Sequence, residues 1–68
     1  MRLSARNQLN GTVVSVKEGA VEAQVVVDIG GQTMTAVITV DAVRELGLAP
    51  GSPVVAVVKA DHVILGVD

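Results

Sequence analysis

Two segments near the end of this chain, Val54–Lys59 and Val63–Val67, carry apolar residues on both faces of an extended backbone. A strand of that kind has to be covered on both sides. The chain has 68 residues, enough for a single domain, 1–68, with a single core. That core covers one face. The simplest cover for the other is a second copy of the chain. Composition points the same way. The apolar half consists of sixteen valines, eight alanines, five leucines, three isoleucines and two methionines, with no aromatic residue and no cysteine. A domain of ~60 residues buries only about 60% of its unfolded surface. Such domains usually lean on disulfides, a metal or association. Disulfides are excluded here, and one His gives little basis for a protein-ligated zinc. A homo-oligomer is the expectation.

The remaining segments read as strands separated by turns. Leu9–Val16 is rich in Val and Thr and is expected to end at a Lys17-Glu18-Gly19 turn. Ala20–Ile29 alternates, with Val21, Ala23, Val25, Val27 and Ile29 on one face and Val26 as the exception. Gly30-Gly31 suits a two-residue hairpin turn, where both central residues take φ > 0. Thr33–Val40 alternates again, with Met34, Ala36 and Ile38 on one side. Asp41–Gly47 then reads as a short helix, capped by Asp41 or Thr39 and closed by Gly47. Pro50-Gly51 and Pro53 mark a turn, and Ala60-Asp61-His62 a tight connection. Three strands, a helix and two strands is the element order of an OB-fold. The expected fold is all-β: an OB-fold-like five-stranded barrel with one short helix between strands 3 and 4. Another five-stranded barrel or an open antiparallel sheet is the alternative.

Several functions are disfavoured by what the chain lacks. Without cysteine there is no thiol nucleophile or thiolate metal site. Without aromatic residues, bases have no platform to stack on. A net charge of −2 and a pI near 5.1 give no footprint for nucleic acid. Apolar runs of about five residues fall far short of the ~20 that a membrane helix needs. The start, Met1-Arg2-Leu3-Ser4-Ala5-Arg6, has no apolar run behind its charges and does not read as a secretory signal. A cytoplasmic, stand-alone chain is expected. An enzyme is not: His62 lies in a turn and reads as a solvated loop histidine. Asp41 and Glu45 read as the solvated face of a helix rather than an acid–base pair.

Three places share a different character. Ser4-Ala5-Arg6-Asn7-Gln8 opens the chain with a hydroxyl, a guanidinium and two amides. Lys59 ends an apolar strand, where it either snorkels to the rim or serves a ligand. Thr39 stands just before the helix N-terminus, where backbone N–H groups are free. Hydroxyls, cations and free N–H groups are what a small oxyanion needs.

Ser4-Ala5-Arg6-Asn7-Gln8 followed by Leu9-Asn10-Gly11-Thr12-Val13 resembles the opening signature of the molbindins, the small molybdate-binding Mop proteins. Ala36-Val37-Ile38-Thr39, Leu46-Gly47-Leu48, Gly51, Val57-Val58-Lys59-Ala60 and Val63-Ile64 extend the likeness over nearly the whole chain. The resemblance implies an OB-type barrel in a homohexamer, a trimer of dimers, that binds molybdate or tungstate at subunit interfaces. It implies molybdenum storage and homeostasis, with no organic cofactor. Carried over, the oxyanion-binding residues are Ser4, Ala5, Arg6, Thr39, Lys59 and Ala60. They hold the anion by hydrogen bonds, and no side chain ligates the metal directly. Ala42 departs from a regulator relative that carries serine there, so one hydroxyl donor is missing. A second site near a threefold axis is expected around Lys17, Gly19 and Ala20. Two other roles remain open: a purely structural oligomerisation module, or a regulatory domain that senses the oxyanion without storing it.

Chemistry supports the donor set. Molybdate is a dianion without a proton at pH 7, so its site should consist of donors. Monohydrogen phosphate would leave its proton unpaired in such a site. Sulfate would have to be rejected by size.

Overall fold

The computed structural model describes residues 1–68 as an antiparallel sheet of four strands with one short helix. The strands are β1 (Asn7–Glu18), β2 (Glu22–Asp28), β3 (Thr33–Thr39) and β4 (Pro53–Val58). The helix α1 (Val40–Leu46) joins β3 to β4. Strand order is β3-β2-β1-β4, so β1 serves as the shared spine. Its first half pairs with β4, from Asn7↔Val58 to Thr12↔Pro53, and its second half with β2, from Thr12↔Asp28 to Glu18↔Ala23.

β1 turns from one partner to the other through a bulge. The register slips between Val13 and Ser15, leaving Val14 without a partner and half exposed. An extra residue of this kind bends the strand and lets Val13 and Val16 face the same side. β1 also runs two residues past the expected end at each side; Lys17 and Glu18 pair with Gln24 and Ala23 instead of turning. The turn falls at Gly19–Val21, and Val21 precedes β2 and is exposed rather than in the core.

The β2–β3 hairpin follows the sequence closely. Gly30 and Gly31 adopt φ of 95° and 92° between Asp28↔Thr33, the last pair of the ladder. Ile29 N–H donates to the Gln32 carbonyl across the turn, and Asp28 Oδ1 accepts from both glycine amides. At the far end Thr39 is the residue that caps α1: its Oγ1 accepts from the Ala42 N–H at 3.0 Å. Asp41, the other candidate cap, lies inside the first turn. Gly47, at φ 64°, closes the helix as expected. Pro53 begins β4 rather than ending a turn, and an edge position suits a residue without an N–H.

Only six residues are fully buried: Val13, Ala23, Val25, Val27, Val40 and Val43. β2 supplies three of them, because it lies between β1 and β3 and under α1. Met34, Ala36 and Ile38 of β3 and Val54, Ala56 and Val58 of β4 face the same side but are only half-buried. The reason is a missing wall. β3 and β4 are both free edges, and an apolar groove of about 720 Å³ opens where their inward side chains are uncovered.

The expected fifth strand, Val63–Val67, is absent. Ala60–His62 forms the tight connection as a single 3-10 turn, but the residues after it pair with nothing and do not line the groove. Ile64, Leu65 and Val67 are 89% exposed or more. The fold is thus a curled four-stranded OB-like sheet, open where a fifth strand would close it.

Candidate oxyanion site

Register decides which candidate residues meet. Asn7↔Val58 is the terminal pair of the β1–β4 ladder. Arg6 and Lys59 are the next residues outward on each side, so the ladder sets them beside one another at one end of the sheet. Ser4 and Ala5 approach from the arm before β1, and Ala60 opens the turn after β4. The Gln8 amide donates from Nε2 to the Ala5 carbonyl at 2.9 Å, folding the arm back over the start of the strand. Ser4 and Arg6 are exposed, and Arg6 has no carboxylate partner. Lys59 is exposed too, and its Nζ lies 3.9 Å from Asp61 Oδ2.

Thr39 is elsewhere. It pairs with Glu22 at the start of β2, near the end of β1 that carries Glu18↔Ala23. β1 has 12 residues and, at ~3.3 Å each, a contour of roughly 35 Å between these ends. Within one chain, Thr39 therefore does not join Arg6 and Lys59 along the sheet. It lines a small polar hollow with Gly19, Ala20, Asp41 and Arg44. Two of the residues expected at a second site, Gly19 and Ala20, are in that hollow. Lys17 is not; it pairs with Gln24, whose side chain alternates with the buried Ala23 and Val25, so it points away from the core.

Arg44 is a lining residue that the sequence did not single out. Its Nη2 sits 3.6 Å from Glu18 Oε2. A cation in the last helical turn has an ordinary explanation in the helix dipole, so nothing in the sequence distinguished it. With Asp41 and Glu18 both close, Arg44 does not give the hollow an excess of positive charge.

The donors are hydroxyl, ammonium, guanidinium and backbone N–H. No buried side-chain polar atom is left without a partner, and no group of three or more His, Cys, Asp or Glu side chains is placed to hold a metal ion. The ligand this chemistry suits is an anion, met at the surface of the chain, where Ser4, Arg6 and Lys59 are exposed.

The pattern of the TOBE domain matches residues 3–65. The chain belongs to the TOBE-domain family. This TOBE chain is 48% identical to molybdenum-pterin-binding protein 2 of Clostridium pasteurianum, over 96% of its own length and 97% of the relative's. A molybdate-binding protein from Sporomusa ovata has the same fold, with a TM-score of 0.91 and 42% identity, covering 96% of this TOBE chain and 97% of the other. The cytoplasmic molybdate-binding protein ModG, solved with molybdate bound, superposes at a TM-score of 0.95 with 52% identity. All of the TOBE chain is matched there, to 49% of ModG. The molbindin resemblance carried by the Ser4–Gln8 signature thus agrees with relatives that share the whole unit.

Proposed function

We propose that this chain binds molybdate or tungstate between copies of itself and serves as an intracellular molybdenum reserve rather than as a catalyst. The observation that carries the reading is the Asn7↔Val58 pair that ends the β1–β4 ladder, because Arg6 and Lys59 are the residues that flank it. In this reading the two cations, the Ser4 hydroxyl and the backbone N–H groups of Ala5 and Ala60 supply the donors at that end of the sheet. Two formal positive charges match a dianion, and hydrogen bonds to charged groups contribute ~1.5–3 kcal/mol each. Thr39, at the other end of the sheet in its own chain, reaches such a cluster from a neighbouring copy. The relatives named for molybdate or molybdenum support the same ligand class.

The assembly is a homohexamer built as a trimer of dimers. What supports association is the open side of the sheet. β3 and β4 each present an unpaired edge, and unpaired edges invite another strand. The Val63–Val67 tail is apolar and long enough to lie along β4, a strand of six residues. In the dimer, the tail of one copy fills the groove of its partner and completes the fifth strand of each barrel. Gly19, Ala20 and the hollow they line are the place for a second class of anion, with Lys17 left out. The location is the cell interior, a reading supported by ModG, which is described as cytoplasmic.

Equilibrium dialysis of the purified protein against molybdate tests the function. Uptake at micromolar anion is expected, and no uptake at millimolar anion would overturn it. A thermal melt with and without molybdate separates storage from a structural role, because a ligand bound only by the folded assembly raises the midpoint.

A further inference from the structure

We infer that Asp61 sets the affinity of the oxyanion site by competing with the anion for Lys59; this rests on the reading of Lys59 given above. Five cations are available in the chain. Of these, only Arg44 and Lys59 have a carboxylate within ion-pair distance, and Lys59 is the one placed at the donor cluster. The pair is built by a short piece of backbone. Lys59 precedes the 3-10 turn of Ala60–His62 in an extended conformation, with φ −64° and ψ 139°. His62 N–H donates to the Lys59 carbonyl at 3.0 Å and Val63 N–H to the Ala60 carbonyl at 3.3 Å. That turn brings the side chain two residues on back beside Lys59, with Nζ and Oδ2 3.9 Å apart.

A carboxylate is a poor neighbour for a dianion. In an otherwise donor-only cluster, Asp61 is the one acceptor placed against a proposed ligand. It acts in both states. Without anion it is the counter-ion of Lys59. With anion it repels the bound charge. Both effects weaken binding, and both are modest because each side chain is 69% exposed and exposed pairs are worth little. Asp61 is therefore a tuning residue, and it lets a reserve give up its anion as well as hold it.

The test is a double-mutant cycle read by isothermal titration of the assembled protein with sodium molybdate. Asp61→Asn keeps the shape of the side chain and removes its charge. In 20 mM salt it is expected to tighten binding about three- to tenfold. The gain should shrink at 0.5 M salt, where charges are screened within ~4–5 Å. In a Lys59→Ala background, Asp61→Asn should gain clearly less. Unchanged affinity in Asp61→Asn, or an equal gain with and without Lys59, overturns the inference while leaving the oxyanion site standing. Failure of the parent protein to bind molybdate overturns the functional reading itself, and this inference with it. Circular dichroism of each variant, expected to match the parent, confirms that the turn and sheet are kept.

Discussion

Gly11 and Val27 approach so closely that a Cβ on Gly11 would lie 2.6 Å from Val27 Cγ1 and 2.7 Å from the Asp28 carbonyl oxygen. The crossing occurs near the point where β1 passes from β4 to β2, and the backbone oxygen leaves the intruding methyl nowhere to go. Gly11→Ala is expected to destabilise the fold by about 1–3 kcal/mol, the usual cost of overpacking. Urea unfolding followed by circular dichroism measures it. A midpoint equal to the parent's would show that β1 and β2 can separate at this point.

Thr39 has two separable roles. As the helix cap it accepts from the Ala42 N–H, and losing that bond costs about 1 kcal/mol. Thr39→Ser keeps a hydroxyl for both capping and anion binding and should be near neutral in each. Thr39→Val should lower stability by about that amount and also weaken molybdate binding. Denaturation and dialysis on the same samples distinguish the effects; a variant that loses stability but binds normally removes Thr39 from the site.

Arg6 and Lys59 are exposed, so neither is needed for the core. Arg6→Ala and Lys59→Ala should each weaken molybdate binding ten- to a hundredfold, the equivalent of one charged hydrogen bond. The sedimentation profile should not change. Normal binding by either variant would move the site away from the end of the β1–β4 ladder.

Removal of residues 63–68 tests the fifth strand. The truncated chain retains every buried residue of the core, yet its groove would have no occupant. Analytical ultracentrifugation is expected to show the oligomer dissociating, with molybdate binding lost alongside. A truncated chain that still assembles would show that the tail is not what covers β3 and β4.

Much of this was legible in the residues. Alternation in 20–29 and 33–40 gave the hairpin, because a strand with one buried face writes its period into the sequence, and Gly30-Gly31 fixed the register. Gly47 marked the helix end because few other residues take its left-handed backbone. The bulge at Val14 was not legible: Val13-Val14-Ser15-Val16 reads as an ordinary strand until the Val13↔Val27 and Ser15↔Val26 pairs reveal the slip. Val63–Val67 reads as a fifth strand but is unpaired in this chain, since an apolar run states that it wants covering and not what covers it. The candidate site was legible as residue types in a signature and not as an arrangement. Thr39 lies apart from Arg6 and Lys59 because pairing along β1, which no local pattern encodes, decides which strand ends are neighbours.

The two open strand edges have a consequence during synthesis. In the assembly proposed above, a newly made chain emerges with β3, β4 and an apolar tail all uncovered and covers them by meeting another chain. Encounters rise with the square of chain concentration, so solitary chains dominate when expression is slow. Proteases that cut exposed termini would then compete with pairing. The capacity to hold anion would rise steeply, not in proportion, as the protein accumulates.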